Sequence, residues 1–137
     1  MVKPKVLFVC TQNSCRSQMA EGLLRHDARD LFEVFSAGTK PSQVRPEAIA
    51  MMRELGIDIS GHRSKSVEEF TGQHFDYVIT VCDNARESCP VFPALTTRIH
   101  WSIEDPAGVE GSEEQRFEAF RRIRDELRRR VRDFIQR

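Results

Sequence analysis

The segment Cys10-Thr11-Gln12-Asn13-Ser14-Cys15-Arg16-Ser17 places five residues between a cysteine and an arginine, directly after an apolar run and before a helical pattern. Residues in that order can build an anion site. Backbone N–H groups from Thr11 to Ser17 can converge on one point, a helix N-terminus adds partial positive charge, and the Arg16 guanidinium can grip a tetrahedral oxyanion through two N–H groups. The same field acts on Cys10. A thiol at a helix N-terminus beside an arginine can fall from about 8.5 to between roughly 3.5 and 7.5 in pKa, which makes it a thiolate nucleophile at neutral pH. Ser17 can donate a hydrogen bond to that thiolate, and Asn13 tolerates the left-handed backbone that tight loops need. A bare cysteine-x5-arginine match would otherwise be an end-of-strand thiol and an exposed arginine; the strand before it and the helix after it favour the chemical reading. Cys15 reads differently, as a small thiol that packs.

A second pair of cysteines lies in Cys82-Asp83-Asn84-Ala85-Arg86-Glu87-Ser88-Cys89-Pro90. Pro90 predicts that a helix begun near Asp83 stops at Cys89. On an intact helix the two Cα atoms would lie about 10 Å apart at roughly 1.5 Å rise per residue. A disulfide needs less than about 7 Å. Either the two never pair, or the segment unwinds when they do, carrying Cys89 toward solvent; a short polar segment bounded by proline opens at low cost. Two unrelated structural cysteines or a zinc site are the other readings, although neither pair has the spacing of ordinary zinc ligands.

These residues need a scaffold, and the sequence supplies strands alternating with helices. Lys5 to Val9 reads as a strand, then a helix carries Met19, Ala20, Leu23, Leu24 and Ala28 on one buried face, with Glu21, Arg25 and Arg29 expected to stay wet. Phe32 to Ser36 reads as the second strand. Pro46 opens the next helix, with Ile49, Met52 and Leu55 as its inner face and Gly56 as its stop. Asp76 to Val81 is the third strand and Arg98 to Trp101 a weaker fourth. The last helix carries a stripe of Phe117, Phe120, Ile123, Leu127, Val131 and Phe134, and its arginines, Arg121 to Arg132, read as a solvated face because Glu118, Asp125, Glu126 and Asp133 are interleaved with them. Alternating strands and helices predict an α/β single domain over 1–137: a four-stranded parallel sheet with helices on both faces and the ligand site at the carboxyl ends of the strands. The loop after the first strand and the segment after the third would then share one mouth.

Whole-chain properties narrow the partners. Among 137 residues, Lys plus Arg and Asp plus Glu are balanced at 21 each, so no overall field points to nucleic acid or a membrane surface. The apolar run from Val6 to Cys10 is too short for a signal-peptide core, and no run approaches the roughly 18 apolar residues of a membrane span. A cytoplasmic location is expected, where cysteines serve catalysis, redox chemistry or metals rather than a disulfide scaffold. A monomer is the default. His26, His62, His74 and His100 show no ligand spacing, and no metal site is expected; Trp101 reads as core or mouth lining.

The chain resembles the thioredoxin-coupled arsenate reductases, which share a fold with the low-molecular-weight protein tyrosine phosphatases. The resemblance rests on Cys10 to Ser17 followed by Gln18-Met19-Ala20-Glu21-Gly22, then Ser36-Ala37-Gly38, Gly56-Ile57-Asp58-Ile59-Ser60, Cys82 with Cys89-Pro90, and His100-Trp101 ahead of Asp105-Pro106-Ala107. It implies that Cys10 attacks arsenate held by the loop and Arg16, with phosphate and sulfate as competing oxyanions and Asp105 as the acid that expels a hydroxyl. It further implies that Cys82 attacks Cys10 to release arsenite and form a Cys10–Cys82 disulfide, that Cys89 then forms a Cys82–Cys89 disulfide, and that thioredoxin reduces it. Asp105 without that pattern would be a turn residue before proline. Two positions depart from the family: Gln12 stands where glycine is usual, and Lys65 stands where some relatives have an aspartate that helps Asn13, Glu21 and Ser36 hold potassium. The expectation is that the Lys65 ammonium replaces that ion. A low-molecular-weight protein tyrosine phosphatase is the alternative, since loop and acid would serve it equally, but it has no need of Cys82 and Cys89. A phosphocysteine carrier on a similar fold is a further rival, which Arg16 and Asp105 disfavour.

Overall fold

The computed structural model describes residues 3–90, 92 and 95–137, with the side chain of Ser88 outside that description. Strands β1 (Lys5–Cys10), β2 (Glu33–Gly38), β3 (Tyr77–Thr80) and β4 (Thr97–His100) form one sheet in the order β2-β1-β3-β4. Every pairing is parallel, with Cys10 opposite Gly38, Val9 opposite Thr80, and Thr80 opposite His100. Parallel neighbours require crossovers. Those are α1 (Arg16–Asp27) after β1, α2 (Pro46–Arg53) after β2 and α3 (Asp83–Ser88) after β3, with α4 (Glu113–Ile135) closing the chain.

β1 is buried from Val6 through Cys10, as a central strand covered on two sides must be. Neighbouring strand residues face opposite ways, so β2 reports what covers each side. Ser36 reaches residues of the Cys10 loop and α1, whereas Phe35 turns to the other face and meets Phe70 and Phe75 edge-on, with centroids 5.7 Å away in both cases. Phe92 extends that aromatic group from Phe75. On the first side, α4 lies against α1 and α2, with Phe120, Ile123, Leu127, Val131 and Phe134 buried as the stripe predicts. Its start is fixed by a capping box, Ser112 accepting from the Gln115 amide while Gln115 returns the bond.

Three expectations are corrected. The inner face of α2 is Ala48, Met51 and Met52, not Ile49 and Leu55, which are half-buried; the helix ends at Arg53, so the chain leaves helical geometry before Leu55, and Gly56 follows at φ 76°. Glu21 is buried on α1 rather than wet, because Ser36, Arg25 and Lys65 surround its carboxylate. Arg124 is buried on the supposedly solvated face of α4, where it donates to the Met51 carbonyl and to Glu54 at 2.8 and 2.7 Å. Periodicity marks apolar stripes; it does not show which charges find buried partners.

Candidate active site

The loop between β1 and α1 is turned inside out relative to ordinary loops. Its carbonyls are engaged from outside: Cys10 by the Thr39 amide, Thr11 by Lys40, Gln12 by the Ser42 amide and the Ser64 hydroxyl, Ser14 by the Arg45 amide, and Cys15 by Met19. In a planar trans peptide the N–H points opposite its C=O. Carbonyls held outward therefore aim the amides of Thr11 through Arg16 inward, toward the mouth. Asn13 makes the turn at φ 50°, a conformation asparagine accepts more readily than most residues. Gln12, where glycine is usual, is not at positive φ; it is exposed and lines the mouth, so its side chain costs the backbone nothing. Beneath the loop, Gly38 lies so close that a Cβ there would meet the Thr11 oxygen at 2.6 Å and the Asn13 nitrogen at 2.8 Å.

The mouth is a cavity of about 300 Å³ lined by Cys10, Thr11, Gln12, Ser14, Arg16, Arg45, Asp105, Ala107 and Gly108. Cys10 is buried at the end of β1 with its sulfur 3.1 Å from the Ser17 hydroxyl. Arg16 is anchored by one nitrogen on the Ile103 carbonyl at 3.0 Å and lies 3.6 Å from Asp105, and its Nε is buried without a partner among the described residues. Asp105 is half-exposed, caps the turn Pro106–Gly108 by accepting from the Ala107 amide, and hangs over the mouth. Cys15 is buried, and its thiol is pushed up to about 12, first by burial and then by Cys10 and Asp105. Its sulfur lies 3.9 Å from Asp105 Oδ1.

Cys82 is buried beside the first residue of this loop. It follows β3 as the residue before α3, accepts from the Ala85 amide, and its sulfur lies 3.3 Å from the Thr11 hydroxyl. Asn84 donates to the same hydroxyl at 3.2 Å. α3 ends at Ser88, one residue before Cys89, in the place that Pro90 predicts. Cys89 is half-buried, and burial raises its thiol pKa. The helix is tied down at its start, where Asp83 accepts from His100 at 2.8 Å and from Ser102 at 3.1 Å; these bonds lower the Asp83 pKa.

Four residues of this site carry no sequence signal that spacing reasoning could use. Arg45 lines the mouth from the residue before α2. Gln18, Glu21 and His62 meet Asn13, Ser36 and Lys65 beneath the loop, brought together from three separate segments. Lys65 sits over Glu21, its ammonium 4.0 Å from the carboxylate and 3.0 Å from the Arg63 carbonyl, and burial lowers its pKa. Among the described residues no group of three or more His, Cys, Asp or Glu is arranged to hold a metal ion, and no helix is long and apolar enough to cross a membrane.

The family model for low molecular weight phosphotyrosine protein phosphatases matches residues 5–137. The chain belongs to that family. Within it, the chain is 42% identical to an arsenate reductase of Halalkalibacterium halodurans, over 99% of this chain and 98% of the relative, and 43% identical to an arsenate reductase of Shouchella clausii over the same shares. A solved structure of an arsenate reductase in the phosphate binding state superposes with a TM-score of 0.80 at 39% identity, covering 97% of each chain. The α/β fold with a four-stranded parallel sheet is therefore that of the low-molecular-weight phosphatases, and the sequence kinship is with their arsenate-reducing members.

Proposed function

We propose that this protein reduces arsenate to arsenite with its own thiols and is regenerated by thioredoxin. The observation that carries the reading is the Thr11 hydroxyl, which touches both the oxyanion loop it belongs to and the sulfur of Cys82. A phosphatase requires the loop; only a thiol relay requires a second cysteine packed against it.

In the first step the Cys10 thiolate attacks arsenic held by the inward amides of Thr11 to Ser17 and by Arg16, while Asp105 gives a proton to the departing hydroxyl. Cys82, as thiolate, then attacks the Cys10 sulfur. The Cys10–arsenic bond breaks, its electron pair stays with arsenic, and arsenite leaves as the Cys10–Cys82 disulfide forms. Cys89 attacks Cys82 next, which frees Cys10 and yields a Cys82–Cys89 disulfide. Two thiols have supplied the two electrons, and a thioredoxin dithiol restores them by exchange. Phosphate and sulfate compete for the loop as tetrahedral oxyanions. The protein works as a cytoplasmic monomer, in the compartment that supplies the reductant.

Lys65 stands in for the potassium ion of some relatives. Its ammonium, 4.0 Å from Glu21, adds to the Arg25 guanidinium at 2.6 Å, so the buried carboxylate is neutralised by side chains. Exchanging potassium for sodium should leave turnover and melting temperature unchanged; strong potassium dependence would refute the substitution.

The decisive assay is arsenate-dependent NADPH oxidation coupled through thioredoxin and thioredoxin reductase, run beside Cys82→Ser and Cys89→Ser. Turnover in the parent protein and none in either variant is expected. Brisk aryl phosphate hydrolysis without arsenate turnover, unaffected by both substitutions, would make the protein a phosphatase instead.

A further inference from the structure

Beneath the oxyanion loop, the buried side chains of Asn13, Ser17 and Gln18 form a chain of hydrogen bonds whose direction can be read from backbone groups that cannot reverse. Gln18 Nε2 lies 2.9 Å from the Arg63 carbonyl and 3.2 Å from the Asn13 carbonyl, so that atom is the amide nitrogen. Asn13 Oδ1 accepts from the Lys65 backbone N–H at 2.9 Å, so that atom is the oxygen. The bond between the two side chains, 2.8 Å long, then runs from Gln18 to Asn13. Both hydrogens of Asn13 Nδ2 are spent, on Ser17 at 2.7 Å and on Ser36 at 3.0 Å. Ser36 passes its own proton to Glu21. Ser17 has its oxygen occupied by Asn13, which leaves its proton for the Cys10 sulfur.

The chain begins at His62. With its nitrogen side committed, Gln18 presents Oε1, which only accepts, to His62 Nδ1 at 2.9 Å. On the far side of the ring the Arg25 guanidinium, which only donates, faces Nε2 at 3.4 Å. We propose that His62 is a positioning residue for the nucleophile, held as the neutral Nδ1–H tautomer so that donors run one way from Arg25 through His62, Gln18, Asn13 and Ser17 to Cys10. The proposal rests on Cys10 being the nucleophile. A ring outside the mouth thereby closes the far end of the network whose near end gives the sulfur its proton donor.

The groups around the ring agree. Burial lowers the His62 pKa, Arg25 and Lys65 oppose a cation there, and Glu21 and Asp58 favour one. A leucine at 62 would leave Gln18 Oε1 buried without its donor, and turning the amide would only set that oxygen against Asn13 Oδ1 and two carbonyls, so the network is strained in either orientation. Asparagine could keep the donor, since its side-chain nitrogen reaches the position of Nδ1.

The test has two independent parts. Ring-nitrogen NMR of the intact protein should show His62 as the Nδ1–H tautomer at neutral pH. The rate of iodoacetamide alkylation of Cys10, located by peptide mass spectrometry, should be measured against pH in the parent protein, His62→Leu and His62→Asn. The leucine profile should move about one unit to higher pH, a tenfold loss of rate below it, and asparagine should restore most of it. An Nε2–H tautomer, an imidazolium at neutral pH, or a leucine profile superposing on the parent would overturn the relay. If Cys10 of the parent alkylates no faster than an ordinary free thiol, the nucleophile itself is misassigned, a failure distinct from a reactive Cys10 indifferent to residue 62.

Discussion

At the scale of single residues, two cysteines in one loop are given different work by their surroundings. Cys15, pushed up to about 12 chiefly by burial, stays a thiol at any physiological pH. Cys15→Ala should therefore retain arsenate turnover within about threefold and lose roughly 1 kcal/mol of stability for the missing sulfur; a loss of turnover comparable to that of Cys10→Ser would contradict the packing role. Arg16→Lys keeps the charge but forfeits the planar fork, and kcat/KM should fall by about a hundredfold or more, as when one preorganised oxyanion donor is removed. The chemistry of Cys10, Arg16, Ser17 and Asn13 was legible because each type acts through a local rule of loop and helix geometry. The support beneath them was not. Gln18 and His62 act through bonds that span 44 positions of sequence, and a glutamine or histidine has no periodicity to betray such a partner.

At the scale of elements, α3 is both the carrier of the proposed relay and its restraint. Cys89 must reach Cys82, yet it follows a formed helix, and burial raises its pKa. The segment has to open for Cys89 to become a competent thiolate. Replacing Pro90 with alanine removes the bar to helix extension and should slow the formation of the Cys82–Cys89 disulfide, followed in a single turnover by trapping free thiols, while leaving the release of arsenite unchanged. The opposite effect belongs to Asp83→Ala, which cuts the ties to His100 and Ser102 and should speed amide exchange across α3. Strand β2 contributes through absence of a side chain. Gly38→Ala would press on loop backbone at 2.6 to 2.9 Å, where nothing flexible can yield, so oxyanion binding should be lost with the fold retained, as judged by circular dichroism and phosphate titration. The order of strands and helices was readable from alternation, whereas the ends of α2 and its inner face were not, since a one-position rotation of so short a helix leaves its apolar pattern almost equally satisfied.

At the scale of the molecule, α2 and α4 are joined by Glu54, whose carboxylate takes bonds from Arg121 at 3.0 and 2.6 Å and from Arg124 at 2.7 Å. Those guanidinium bonds hold its pKa at about 2, below the ordinary value of 4.5. A carboxyl with a lowered folded-state pKa stabilises the protein above its unfolded value, and that stability is lost as pH falls from about 4.5 toward 2. Glu54→Gln should flatten the acid limb of the stability curve over that window and leave its shape above pH 5 unchanged; an acid limb identical to the parent's would exclude Glu54 as its source. Arg16 reaches a similar scale by another route. Its other nitrogens meet the Ile103 carbonyl and Asp105, but its Nε is buried without a partner among the described residues, so the protein carries the cost of one unpaired N–H there. A tetrahedral anion that binds only the folded loop would, at a hundredfold excess over its dissociation constant, add about 2.7 kcal/mol to folding stability. Inorganic phosphate has this shape and, under the proposed function, would compete for the same loop. Turnover would then follow the ratio of arsenate to phosphate, so that withdrawing phosphate would raise the rate at constant arsenate while lowering the melting temperature of the idle protein.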